Sequence, residues 1–475
     1  MKAKIIALAV AIGLAATPAA EAAPPPTIDD YLSGALESTG LPGFSVVVTK
    51  GDQVVHAAGY GHDSAGRPMT ADTPMRIASL SKSFTAMAVM TLVDAGRIAL
   101  DRPVAEQLPG FSMADPRAEQ VTVRQLLNQT SGFSDTTIDI NALEDAGSLA
   151  DYTARLSTGS LAADPGTHWE YCNVNYDLAG RLVEVVSGQP FGDYLRQHVF
   201  GPLGMRTSAT REEQVRPADG YVSLFGAWIP RAEMPGFHDD SGGGGVITTA
   251  ADMGKWLVSQ NGAGQQLVSP DSLRLMHSPS AVSDYGMGWG VEQPEDGPEM
   301  LVHSGNLFTY NAVQAIVPET GYGFAVMTNG ASLHESSYEI LTGLVALSEG
   351  RTPADPGGGR QQTELLLGAI LLVAVGFGVL GAVRSRRWAA KRAGTPAWRI
   401  GLRMVPALVP IAVFAAYPDL ISFISNGRTV TWAQLTYFPL PLTVTLLVAA
   451  LAGASTVAFR LARLRSARAA HLGRR

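Results

Sequence analysis

The sequence predicts an α+β domain followed by three membrane-crossing helices, and three observations carry that reading. Short β-branched runs stand near both ends of residues 23–349, with helical periodicity between them. Three apolar stretches follow residue 363. The charges divide there too: Arg384–Arg475 holds fourteen Lys or Arg and one acid, Asp419, whereas the chain before it holds 21 basic and 41 acidic residues. Such a split suits two parts in different surroundings. An acidic domain lacks the basic surface that phosphate backbones require, so nucleic acid is not an expected partner.

The N-terminal Met1-Lys2-Ala3-Lys4, the apolar run Ile5–Ala16 and Ala20-Glu21-Ala22 read as a secretory signal over residues 1–22, with small residues at the cleavage positions. Pro24-Pro25-Pro26 ends any helix there. Phe44–Thr49 and Gln53–Ala58 form a hairpin through Lys50-Gly51-Asp52. Ser79–Asp94 is a helix, since Leu80, Phe84, Met87, Ala88 and Val93 recur at helical spacing and Gly96 supplies a stop. Val121–Asn128 and Tyr176–Val186 read as helices too. Gly286–Val291, Leu301–His303, Ala312–Val317 and Gly323–Thr328 are short strands, and Tyr338–Leu347 a closing helix. Strands at both ends with helices between them imply one sheet that brings the two ends of residues 23–349 together.

Residues 350–362, which include Thr352–Gly359, read as a flexible linker. Beyond it a membrane domain over 363–475 is expected, with spans at about 365–383, 404–424 and 438–459. Pro406, Pro410 and Pro418 interrupt the second. Arg384–Arg403 carries seven basic residues and Arg460–Arg475 six, neither with an acid, while only Asp419 and Arg428 charge the loop between the second and third spans. The positive-inside rule then puts the first loop and the C-terminus in the cytoplasm and the large domain outside it. Trp388, Trp398, Tyr417, Trp432 and Tyr437 fall near the expected interfaces. A multi-pass protein of the cytoplasmic membrane is expected, with the lipid bilayer as partner. The oligomeric state is not legible.

Among residues that carry chemistry, Ser79-Leu80-Ser81-Lys82 opens the first long helix. A spacing of three puts Ser79 and Lys82 on one face. Ser79 then sits where backbone N–H groups are unpaired and the helix dipole favours negative charge. A serine hydroxyl needs a neighbour to take its proton. A desolvated ammonium serves, or lowers the pKa of another base; a plain capping serine reads the same way. Tyr171-Cys172-Asn173 offers a phenol as base and an amide with both donor and acceptor. His303-Ser304-Gly305 closes a candidate strand; Gly305 lets substrate approach the strand edge, and the N–H of Asn306 pairs with that of Ser79 as an oxyanion hole. The single cysteine, Cys172, leaves no intrachain disulfide and no cysteine-based zinc cluster, and no metal or cofactor is expected.

The motifs Ser-x-x-Lys, Tyr-x-Asn and His-x-Gly occur in an order that resembles the class C β-lactamase and D,D-peptidase group of penicillin-recognising serine hydrolases. Leu126–Phe133, Gly201–Met205, Gly242–Asp252 and Tyr285–Gly290 look like stretches of the same family, so the resemblance covers about Tyr31 to Glu349. It implies an antiparallel sheet flanked by helices beside a helical subdomain, with the site between them. By family position Ser79 is the acylated nucleophile, Lys82 and Tyr171 share proton transfer, and Asn173 holds the substrate amide. His303 stands where lysine is often found, and Ser79 with Asn306 forms the oxyanion hole. The missing lysine removes a fixed charge for a substrate carboxylate, which weakens antibiotic hydrolysis as the activity. Cys172 occupies a place where a small residue is usual, and is expected to narrow the pocket. A secreted domain with three spans further resembles membrane peptidases that remove an N-acyl-D-amino-acid prodrug cap, as in colibactin maturation. The implied substrate is a small peptide or amide containing a D-amino acid or an N-acyl group. Esterase or β-lactamase action stays open, as does a non-catalytic penicillin-recognising sensor.

Overall fold

The computed structural model describes residues 26–472 apart from Asn426, so the expected signal over 1–22 lies outside the described residues. Six strands form an antiparallel sheet: β1 (Gly43–Lys50), β2 (Gln53–Gly61), β3 (Gly290–Glu292), β4 (Met300–Asn306), β5 (Asn311–Val317) and β6 (Tyr322–Thr328). Its order is β2-β1-β6-β5-β4-β3, so an early and a late strand pair at its centre, Val46 opposite Val326. Alternation along β1 and β6 explains why both are buried on two faces. Val46, Val48, Phe324 and Val326 face one core, under α1 (Ile28–Thr39) and α5 (Ser336–Ser348). Val47, Ala325 and Met327 face the other.

That second core is built around α2 (Ser81–Asp94), whose side chains are buried from Ser81 to Met90. A helix apolar on every side belongs inside. Phe84 stacks on Trp256 of α4 (Ala250–Gln260), centroids 4.0 Å apart, a geometry worth about 0.5–1.5 kcal/mol beyond the area buried. Its polar residues are satisfied: Ser83 Oγ accepts from Gln314 Nε2 at 3.0 Å, and Thr85 Oγ1 donates to the Gly242 carbonyl at 2.7 Å. The helical lobe lies on the far side of α2 and includes α3 (Val174–Ser187).

Three helices at the C-terminal end are long and apolar enough to cross a membrane: α6 (Gly359–Ala390), α7 (Ala397–Ala415) and α8 (Leu440–Leu472). Leu365, Leu372, Phe377 and Val383 are exposed along α6. Small residues let the helices meet closely: a Cβ on Gly378 would stand 2.8 Å from that of Ala452, and one on Gly453 would strike the Ala407 carbonyl. The expected second span divides after Ala415, and Tyr417–Ile424 forms a separate short helix with Pro418 in its first turn. The linker is shorter than expected and its end is fastened. Helix α6 already begins at Gly359, and Arg360 and Glu364 are buried against Ser223, Gly226 and Trp228. Arg231 makes a second attachment, its guanidinium 3.4 Å from the Tyr437 ring centre.

Candidate active site

Strand Met75–Arg76 turns into α2 through a 3₁₀ turn, Ala78–Leu80, and Ala78 adopts φ +49°. A left-handed alanine is strained backbone, held here by its surroundings. Ile247–Thr248 pairs with Met75–Arg76, and Ser81 Oγ accepts from Val246 N at 3.0 Å. Together with the Thr85 bond this pins the glycine run Gly242–Gly245 across the start of α2. The carbonyl of Gly243 then lies 2.7 Å from Lys82 Nζ.

Three of the expected residues meet at one oxygen. Lys82 Nζ donates to Ser79 Oγ at 3.0 Å, and the Tyr171 hydroxyl donates to the same atom at 2.8 Å. Lys82 is wholly buried while Ser79 and Tyr171 are partly exposed. Lys82 also donates to Asn173 Oδ1 at 2.9 Å. Asn173 stands at the N-cap of α3, where a side chain usually receives the helix's own N–H groups; here it makes no cap bond because it faces Lys82. The loop after Leu127 holds this segment: Gln129 Oε1 accepts from Cys172 N at 3.0 Å and from Asn175 Nδ2 at 2.7 Å.

Asn306 lines the same cavity as Ser79 and Asn173, and its side chain is bonded to Glu335 and Asn311. Gly305 serves a different purpose from the one expected. It is buried, and a Cβ there would stand 2.4 Å from the Ile77 carbonyl and 3.0 Å from Ser79 N. What its missing side chain admits is the backbone carrying Ser79, rather than substrate. His303 does not touch Ser79. It lies behind Tyr171, ring centres 6.3 Å apart. Its Nδ1 faces the Ser304 carbonyl at 2.7 Å and must be the donor there, so Nε2 accepts from the Tyr285 hydroxyl at 2.9 Å. Burial, with Lys82 nearby, lowers its pKa to about 3. The imidazole is therefore neutral and supplies no charge in the place of the absent lysine.

Cys172 does not narrow the cavity. It is buried, its thiol 3.4 Å from Asp135 Oδ1, and burial beside that carboxylate raises its pKa. Trp228 packs at the foot of α6, where Arg360 lies 4.7 Å from its ring, and His238 lines the cavity. Sequence reasoning missed Asp177, whose Oδ1 accepts from Ser241 Oγ at 2.7 Å and Gly243 N at 3.1 Å. Burial raises its pKa, against those bonds and the attraction of Lys82. The signal for it was an acid one turn beyond Asn173, facing a run of four glycines. Among the described residues no group of three His, Cys, Asp or Glu side chains is placed to hold a metal.

A central antiparallel sheet, a buried helix opening on a serine, and a lysine and tyrosine converging on that hydroxyl define the class of penicillin-recognising serine hydrolases. Residues 28–344 match the family described as Beta-lactamase, and the chain belongs to it. It is 33% identical over 318 residues to Penicillin-binding protein 4 of Amycolatopsis lactamdurans, covering 61% of this chain and 81% of that protein. Protein flp of Staphylococcus aureus (strain MW2) is 28% identical over 321 residues, 64% of this chain, and the chain spans 62% of that relative's length. The crystal structure of D-amino acid amidase from Ochrobactrum anthropi SV3 in complex with L-phenylalanine has a TM-score of 0.53 at 25% identity, covering 64% of this chain and 91% of that one.

Proposed function

We propose that the protein is a membrane-anchored serine hydrolase that cleaves an amide or peptide bond outside the cytoplasm through an acyl-Ser79 intermediate. The observation that carries this reading is the pair of hydrogen bonds converging on a partly exposed Ser79 Oγ from Lys82 and Tyr171. A serine oxygen has one proton to give and two lone pairs to share. With both lone pairs engaged, attack on a carbonyl requires that Lys82 or Tyr171 first lose its own proton, so that its hydrogen bond to Oγ reverses and it takes up the serine proton. The bond from Oγ to carbon then forms, the C–N bond breaks with that proton passing to the leaving amine, and water releases the acyl group. Asn173, its Oδ1 turned to Lys82, offers its NH2 to the substrate carbonyl, and the backbone N–H groups of Ser79 and Asn306 serve the oxyanion.

The neutral His303 favours substrates without a carboxylate beside the scissile bond, and so an aminoacyl amide over a β-lactam or a C-terminal carboxypeptide. The likeness to a D-amino acid amidase supports a D-configured residue, free or capped by an N-acyl group as in the prodrug-removing peptidases, with esters as the near alternative.

The charge asymmetry of the loops supports an extracytoplasmic catalytic domain and a cytoplasmic C-terminus. The test is covalent labelling of the full-length protein with a small fluorophosphonate, followed by a panel of D- and L-aminoacyl amides, acylated peptides and short-chain esters. Labelling is expected in the wild type and lost in Ser79→Ala. Equal labelling of the two overturns the assignment, and labelling with no turnover across the panel favours the sensor reading.

A further inference from the structure

We propose that the loop between the second and third apolar helices is part of the Ser79 site and that Arg428 is a specificity-determining residue within it. The inference rests on the hydrolase reading above. Residues 427–436 belong to the C-terminal part of the chain, yet they lie on the cavity at Ser79. Arg428 Nε is 2.9 Å from Asp135 Oδ2, and its guanidinium carbon is 5.3 Å from the centre of the Tyr171 ring. Thr429 fixes the approach: its hydroxyl donates to the Asp135 carbonyl at 3.2 Å, and its N–H to Asp135 Oδ2 at 3.3 Å. Gly427, at φ +82°, comes so near the lobe that a Cβ would lie 2.9 Å from Thr136 Cγ2.

The cavity that opens on Ser79, Asn173 and Asn306 is lined as well by Arg428, Thr429 and Gln434. Its volume is about 160 Å³, well below the several hundred of an ordinary ligand pocket. Carboxylates of Asp135, Glu144 and Asp177, the amides of Asn173 and Gln434, and the guanidinium share its wall with Ile140, Phe237, Leu307 and Phe308. Asp135 is nearly fully buried and needs a partner, so the Arg428 ion pair is a fixed wall and not a passing contact. A space of that size, walled at Arg428 by charged and amide groups, favours a small hydrogen-bonding group, such as a hydroxymethyl side chain, over a branched hydrocarbon one. Selectivity is thus set partly by the membrane end of the chain.

The test compares kcat/KM for the p-nitroanilides of D-serine and D-leucine on full-length protein, with the p-nitrophenyl esters of the same acyl groups as a second pair. In Arg428→Ala the serine-to-leucine ratio is expected to fall by about tenfold or more, the range one side-chain contact commands, with a smaller fall in Arg428→Lys and in Gln434→Ala. Small fluorophosphonates should still label Ser79 in each. Where Arg428→Ala fails to fold because Asp135 loses its partner, the double variant Arg428→Ala/Asp135→Asn removes both charges and is expected to show the same fall. A ratio within twofold of wild type in a folded, labelled variant overturns the proposal alone. A wild type that labels no better than Ser79→Ala overturns the hydrolase reading with it.

Discussion

Lys82 has three hydrogen-bond acceptors around its ammonium, and none of them is a carboxylate: Ser79 Oγ, Asn173 Oδ1 and the Gly243 carbonyl. Position and charge can be separated by substitution. Lys82→Ala is expected to lower kcat/KM by about 10²–10⁴, the ordinary worth of a positioned proton carrier. Arginine keeps the charge but cannot give up a proton, so Lys82→Arg restores activity only if charge alone matters; proton transfer by Lys82 predicts no restoration. Stopped-flow acylation rates distinguish the two. His303 makes a different prediction, because its imidazole is neutral in the folded protein down to about pH 3, against an ordinary value of 6.5. The unfolded chain binds that proton first as pH falls. Its contribution to stability is therefore complete above pH 6.5 and is lost as pH drops through about 3. Thermal denaturation between pH 7 and pH 4 should accordingly fall more steeply for wild type than for His303→Gln, whose side chain does not titrate.

At the scale of elements, β4 meets the start of α2 at one glycine, and that closeness sets where Ser79 stands. In Gly305→Ala the new methyl would press on the Ile77 carbonyl and on Ser79 N. The expected cost is about 1–3 kcal/mol of stability, as for other overpacked positions, together with slower fluorophosphonate labelling of the folded fraction; melting curves and labelling rates check both. The elements that were legible in the sequence are those whose period matches a buried face. Alternation in Phe44–Thr49 and Gly323–Thr328 sorts side chains into two cores, and the spacing in Ser79–Asp94 marks the central helix. The stretch Gly286–Val291 reads as a strand but pairs only from Gly290. Gly288, at φ +80°, turns the backbone onto Ser83, where a Cβ would lie 2.6 Å from its Cα. Short helices such as Ile140–Glu144 and Leu149–Arg155 span too few turns to show a period and rest on side-chain caps from Asp139 and Ser148. Within the site, Ser79 and Lys82 were legible because helix geometry alone brings them together. Asp177 and Arg428 were not, since each reaches the cavity only through the tertiary fold.

For the whole molecule, the joint between the β-lactamase-family domain and the apolar helices is a buried polar contact where the sequence suggests a loose tether. Glu364 accepts from the Ser223 hydroxyl and the Gly226 N–H and lies 3.6 Å from Arg360. Arg360 also donates to Ser223 Oγ at 3.1 Å. Neither charged residue belongs to either core of that domain. Removing one partner of a buried pair costs about 3–5 kcal/mol, and here that cost falls on the joint and leaves the domain's own packing intact. In Glu364→Ala, proteolysis of the detergent-solubilised chain at residues 351–358 is therefore expected to accelerate by at least about tenfold, as cleavage follows the population of the open form. The melting temperature of the β-lactamase-family domain should stay within a few degrees of wild type. Replacing both partners, Arg360→Leu with Glu364→Leu, leaves no unpaired charge and should restore most of the protection. Helix α6 packs along α8, which follows residues 427–436, so Glu364→Ala is also expected to move the D-serine to D-leucine ratio in the direction of Arg428→Ala, by a smaller factor. Faster proteolysis with an unchanged ratio would mean that the loop is held at Ser79 by its own contacts with Asp135, Thr136 and Arg231.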